Sequence, residues 1–145
     1  MKTLLESWPM WALLSAGFAA LTAILAKVGV QGVNSDYATF VRTVVILVFL
    51  SGLLAFTGQF QSLSTVSRRS LLFLVLSGLA TGLSWLCYFR ALKLGPVSQV
   101  APIDKLSLLL VAVLGVLFLG EKLQPRNWLG VVLMAAGALL LALRR

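Results

Sequence analysis

The sequence predicts an all-α integral membrane protein, a bundle of five transmembrane helices, and three observations carry that prediction. Apolar residues are gathered into five runs of about 18 residues or more, the length at which a helix crosses a hydrocarbon layer of roughly 30 Å. Hydrophobic residues make up 60% of the chain and charged ones only 11%, too few to clothe a water-soluble domain of 145 residues. The glycines, prolines and polar side chains that stop helices stand between the runs, so the apolar material is segmented rather than wrapped around one core.

The first run covers 8–30, with Trp8 and Trp11 at its start, where interfacial aromatics anchor a span. It is too long for a cleaved signal peptide, and no small-residue cleavage site closes it. The stretch Gln31-Gly32-Val33-Asn34-Ser35-Asp36 breaks the helix and supplies polar caps for the next. The second run, 37–57, is interrupted only by Arg42, and a polar loop ending in Arg68-Arg69 follows it. The third, 71–92, carries Arg90 near its end, and Gly95-Pro96 then turns the chain, because proline cannot continue a helix. The fourth, 97–119, holds Pro102, Asp104 and Lys105. The segment Gly120-Glu121-Lys122-Leu123-Gln124-Pro125 separates it from the fifth, 126–143, which stops at Arg144-Arg145. An odd number of spans puts the two termini on opposite sides, and the whole, 1–145, reads as a single transmembrane domain.

Several function classes fall away on composition. There is no histidine, one cysteine, Cys87, and four acids, Glu6, Asp36, Asp104 and Glu121. Neither a Ser-His-Asp nor a Cys-His arrangement can be assembled from that set, and a metal site lacks ligands, so no enzyme, metal or cofactor is expected. The net charge of +8 does not point to nucleic acid, since most Lys and Arg residues lie between or at the ends of apolar runs, where they meet lipid phosphates. Membrane lipids are the expected surroundings.

Within lipid, helices associate through small residues and polar contacts, so stripes of such residues predict packed faces. In the first run Ser15, Ala19, Thr22, Ala26 and Gly29 share a face. In the third, Ser77, Thr81, Ser84 and Tyr88 do so, beside Gly78 and Gly82 at GxxxG spacing; the second run has few such residues and reads as the most lipid-like. Ionisable side chains inside a span cost several kcal/mol and point to function. Asp104, roughly 10 Å into the fourth span, is the only acid inside an apolar run. Lys105 follows it, but adjacent helical residues do not face each other, so Asp104 is expected to find its partner on another helix, with Lys27, Arg42 and Arg90 on the same membrane side. Lys27 reads as a snorkelling cation. Glu121, beside Lys122, reads as an interfacial pair that positions the helix end.

From the third run onward the chain resembles the EamA family of the drug/metabolite transporter superfamily. The residues that carry the resemblance are Trp85-Leu86-Cys87-Tyr88-Phe89-Arg90-Ala91-Leu92, Gly95-Pro96-Val97-Ser98, Ala101-Pro102-Ile103-Asp104-Lys105-Leu106-Ser107, then Leu119-Gly120-Glu121-Lys122-Leu123, Trp128, Gly130 and Gly137. Weaker likeness extends through the first run. The resemblance implies a secondary transporter or exporter of small metabolites working by alternating access, as a multi-pass protein of the plasma (inner) membrane. On that reading the first, third and fourth helices line a cavity in which Trp85 and Tyr88 form walls. Arg42, Arg90 and Lys105 provide positive field for an anionic or zwitterionic substrate, and Asp104 is the coupling charge.

Many members of that family carry two five-helix units of opposite orientation, whereas this sequence holds one, so a homodimer is expected. Lys2, Arg68, Arg69, Lys122 and Arg126 fall on the N-terminal side, and Lys27, Arg42, Arg90, Lys93, Arg144 and Arg145 on the other. This weak bias allows both orientations and an antiparallel pair. Gly130 and Gly137, seven apart, look similar to the paired glycines on the last helix of small multidrug resistance proteins and are the expected dimer face. The rival reading is a non-transporting membrane subunit that stabilises a partner complex.

Overall fold

The structure, a computed structural model, describes residues 7–143. Glu6 and three of the cations in the charge tally, Lys2, Arg144 and Arg145, lie outside the described residues. Among the described residues there is no strand, and five segments are long and apolar enough to cross a membrane: Trp8–Gly29, Ser35–Thr57, Arg68–Leu94, Val97–Leu119 and Pro125–Ala142. The expected five spans are therefore present. Their apolar side chains point outward, with Phe56 91%, Leu79 62% and Leu117 70% exposed. Such a surface would drive association in water, but lipid tails are as apolar as leucine and solvate it.

Local chemistry sets the helix ends. Helix α1, Trp8–Gly29, runs into a turn at Gly32, and α2, Ser35–Thr57, starts at Asn34. The Asn34 side-chain oxygen accepts from the Asp36 and Tyr37 amides at 2.9 and 3.2 Å, which satisfies two of the free N–H groups at that terminus. Gly58 ends α2 with φ of +64°, a conformation that costs a residue with a Cβ but not glycine. Helix α3, Arg68–Leu94, begins three residues earlier than the apolar run, because the Ser67 hydroxyl accepts from the Ser70 amide at 3.0 Å and caps the helix there.

The fourth span is not one helix. Helix α4, Val97–Asp104, and α5, Ser107–Leu119, are separated at Lys105 and Leu106. The Lys105 amide is shared between the carbonyls of Ala101 at 3.3 Å and Pro102 at 3.1 Å, and Leu106, Leu108 and Leu109 donate three residues back rather than four. This tightened winding interrupts the α ladder just beyond Pro102, which itself has no N–H to contribute. The expectation of a continuous helix over 97–119 is corrected accordingly. Gly120, with φ of +68°, closes α5, and α6, Pro125–Ala142, starts with proline in its first turn, where the missing donor has no partner to lose.

The chain divides into two compact units. One comprises residues 26–93: the end of α1, all of α2 and nearly all of α3. Its most buried side chains, Val30, Phe89 and Leu92 with 1%, 3% and 0% exposure, come from the turn just after α1 and from the end of α3, joined by Ser35 and Thr39 from the start of α2. The other unit holds α4, α5, α6 and most of α1. There α6 packs against both α4 and α5, and the buried positions on α5 and α6 are the small residues Gly115 and Ala138. The Glu121 amide donates to the Gly115 carbonyl at 3.2 Å, and its carboxylate folds back so that a methyl group at Gly115 would meet Oε2 at 3.0 Å. Glu121 thus holds the α5 end, as expected, but through α5 rather than through Lys122.

The stripe expectations need three corrections, the first being that Ser15, Ala19 and Gly29 of α1 are exposed while only Thr22 and Ala26 of that stripe are half-buried. Ser77, Thr81 and Ser84 of α3 are exposed, and the Thr81 hydroxyl donates to the Ser77 carbonyl at 2.9 Å within its own helix, so it needs no neighbour. The half-buried and buried positions of α3 are instead Gly82, Trp85, Leu86, Tyr88, Phe89, Ala91 and Leu92. Conversely, α2 is not uniformly lipid-like: Ser35 and Thr39 are buried one turn apart, and Arg42 follows half-buried. The Leu92→Ala variant is expected to lose about 2 kcal/mol or more of unfolding free energy in detergent, whereas Leu79→Ala stays near wild type, as read from denaturation midpoints.

Candidate functional site

In the unit of residues 26–93 the end of α1, the start of α2 and the end of α3 bring four cations to one end of the spans. The ammonium group of Lys27, in the last turn of α1, donates to the Leu92 carbonyl near the end of α3. That carbonyl belongs to a fully buried residue in the last turn of its helix, where backbone acceptors lack amide partners. Lys93 reaches the Val33 carbonyl in the α1–α2 turn at 2.8 Å. Arg90 binds Asp36 through two hydrogen bonds, Nε to Oδ1 at 2.9 Å and Nη2 to Oδ2 at 2.7 Å, the paired geometry that guanidinium and carboxylate planes favour. Asp36 is itself fixed by the Asn34 cap on its amide and by the Ser35 hydroxyl at 3.3 Å.

Arg42 behaves differently. It lies seven residues into α2, about 10 Å along the axis, and its guanidinium carbon sits 4.1 Å over the Trp85 ring and 5.5 Å from the Phe89 ring centre. Tyr88, on the same turn of α3, meets Phe89 edge-on with ring centres 6.5 Å apart. Among the described residues Arg42 has no carboxylate partner and no hydrogen bond. Asp36 is the sole carboxylate of this unit, and Arg90 occupies both of its oxygens.

In the other unit Asp104 and Lys105 stand at the break between α4 and α5, joined Nζ to Oδ2 at 3.2 Å. The expected partner on another helix is thus replaced by the neighbouring residue. The backbone stays right-handed at Lys105 (φ −71°, ψ −7°) and Leu106 (φ −60°, ψ −20°), so the pair forms because the long lysine side chain curls back to the neighbouring carboxylate, not because the two residues share a face. On α6, Gly130 is exposed and Gly137 half-buried, and an added methyl group at either would meet nothing within 4 Å.

Of the residues singled out in the sequence, the structure brings together Arg42, Trp85, Tyr88 and Phe89, and it sets Asp104 against Lys105. It turns Arg90 away from a free positive role by pairing it with Asp36. Asp36 is not among them, because it falls in the polar break between runs. The signal that finds it is its place in the first turn of α2, on the membrane side shared with the last turn of α3.

The model of the EamA-like transporter family matches residues 6–143. Over 137 residues the chain is 65% identical to an uncharacterized transporter in the cobO 3' region of Sinorhizobium sp, covering 94% of this chain and 97% of that protein. It is 35% identical over 74 residues to a probable 4-amino-4-deoxy-L-arabinose-phosphoundecaprenol flippase subunit ArnE of Hamiltonella defensa, covering 51% of this chain and 67% of that one. It is also 29% identical over 143 residues to the uncharacterized transporter YxxF of Bacillus subtilis, where it covers 98% of itself but 44% of the longer protein. No solved structure matches.

The Asp36–Arg90 pair is exposed on both sides, so its worth is modest and salt-sensitive. Asp36→Asn and Arg90→Gln are each expected to lower the melting temperature slightly. The double variant falls no further than either single one, and the differences shrink in high salt; differential scanning fluorimetry reads all three.

Proposed function

Since the chain belongs to the EamA-like transporter family and holds five membrane spans, we propose that it is a secondary transporter that exports a small metabolite by alternating access across the plasma (inner) membrane. A transport role rests on the family and on relatives named as transporters or as flippase subunits. For the substrate site, the observation that carries the reading is a half-buried guanidinium inside a span, laid over an aromatic ring and left without a carboxylate. An ionisable group at that depth is costly and is kept for a use. Arg42, with Trp85 and Tyr88 as walls, would meet an anionic or zwitterionic substrate. Arg90 would act through its hold on Asp36 at the same end of the spans. Asp104 and Lys105, at an interruption of a membrane helix, would provide the charge that changes state during transport; broken spans are where transporters commonly place such groups.

Two chains are needed on this reading. The chain matches one relative over nearly that protein's full length and another over less than half of it, which fits a five-helix unit that works in pairs. Gly130 and Gly137 leave the α6 surface open to close approach, and an antiparallel pair would restore inverted repeats. A second reading, a membrane subunit that supports a partner without carrying substrate itself, is favoured by the word subunit in the ArnE relatives' names, and it predicts no flux through the isolated protein.

Protein reconstituted in liposomes and preloaded with metabolite classes is expected to show counterflow for an acidic or zwitterionic class. Asp104→Asn and Lys105→Gln should each slow the initial rate about tenfold, the scale of one charge-assisted hydrogen bond. Flux equal to wild type in both variants removes the coupling role, and no flux for any class favours the subunit reading. Gly130→Leu with Gly137→Leu is expected to abolish cross-linked dimers, and Gly130→Ala with Gly137→Ala to leave the melting temperature of the single chain unchanged, because a methyl group at either position meets nothing within 4 Å.

A further inference from the structure

Arg68 and Arg69 stand at the start of α3, and of the four cations at the other end of the unit of residues 26–93 one is left without an acceptor among the described residues. Asp36 gives both oxygens to Arg90, Lys27 donates to the Leu92 carbonyl, and Lys93 to the Val33 carbonyl. These three ties satisfy the cations that lie nearest the helix ends. Arg42 lies deeper, and among the described residues its guanidinium meets rings and no acceptor.

Rings stabilise the charge of a guanidinium but accept little from its N–H groups, which lie in the guanidinium plane. With Trp85 4.1 Å beneath it and Phe89 at 5.5 Å, Arg42 is held in place while its donors stay unused. The low dielectric of a membrane interior strengthens the demand for a counter-charge. Two adjacent N–H groups match two oxygens on one centre, and an ammonium could not reproduce that match.

We propose that Arg42, braced on Trp85 and Phe89, is a receptor for a bidentate oxyanion, a carboxylate or phosphate group carried by a solute or by a lipid headgroup. The inference narrows the substrate site proposed above and rests on that reading for its role in transport, but binding itself is measured without flux. Trp85 is then a positioning residue, because it sets where the fork points rather than touching the oxyanion.

The test titrates detergent-solubilised protein with inorganic phosphate and with acetate against sodium chloride at matched ionic strength, following thermal unfolding. A second arm places the protein in phosphatidylcholine vesicles with and without phosphatidylglycerol. Wild type is expected to be stabilised by at least one oxyanion source, and Arg42→Gln by none. Arg42→Lys, which keeps the charge and loses the fork, should bind about tenfold more weakly, and so should Trp85→Leu, while Trp85→Phe keeps most of the affinity. A response to phosphate or acetate assigns a solute group, and a response to phosphatidylglycerol alone assigns a lipid headgroup.

Equal responses in wild type and Arg42→Gln overturn the proposal, as does Arg42→Lys binding as tightly as wild type, which would mean that a point charge suffices. Oxyanion binding without counterflow leaves the receptor standing and defeats the transport reading. Counterflow that survives Arg42→Gln overturns a solute oxyanion as the transported group at Arg42 and leaves the transport reading standing.

Discussion

Hydrocarbon gives an apolar side chain almost no reason to turn inward, because lipid tails solvate leucine as well as another leucine does. Whatever holds the end of α1, the start of α2 and the end of α3 together must therefore come from groups that lipid cannot satisfy. The structure answers with polar ties: Lys27 on the Leu92 carbonyl, Lys93 on the Val33 carbonyl, and Asp36 gripped by Arg90. Beneath them lie Val30, Phe89 and Leu92, the side chains of this unit most withdrawn from the surroundings. The apolar contact follows from the polar closure, the reverse of the order in a soluble domain, where burial leads and hydrogen bonds accommodate it.

The same constraint explains why positive charge in this chain is not uniform. Four cations look alike as letters at one end of the spans, yet three are absorbed by structural acceptors and one is not. Helix ends supply carbonyl oxygens that lack amide partners, so cations within reach of an end find them. Arg42 stands two turns further in, where every carbonyl of α2 already serves its own helix, and only the rings of α3 are at hand. Depth along the axis, more than charge, separates the structural cations from the one proposed to bind.

The fourth span shows a second use of backbone interruption. Proline two residues before Asp104 weakens the ladder, the chain tightens over Lys105 to Leu109, and the long Lys105 side chain reaches back to the Asp104 carboxylate at that turn. Each half of the span remains helical, so nearly all its backbone stays satisfied in lipid, as a spanning segment requires. The cost of the break is thus confined to one turn, and the charges sit in that turn.

Composition and run length alone determined that this chain crosses a membrane five times. Both depend only on how many consecutive apolar residues a bilayer needs, and no contact between distant residues enters that count. The ends of the helices were nearly as legible, because Asn34, Gly58, Gly120 and Pro125 act on the backbone within a few residues of themselves. Pairing was not legible. Asp36 and Arg90 are 54 residues apart, and nothing in the spacing of either says which cation the lone carboxylate will choose. The inward face of α3 is illegible for a related reason: a serine or threonine can satisfy itself on its own helix, so its polarity does not say which way it turns. Tertiary structure decided those matters, because partners in lipid are chosen by which unsatisfied groups the folded helices bring within hydrogen-bonding distance.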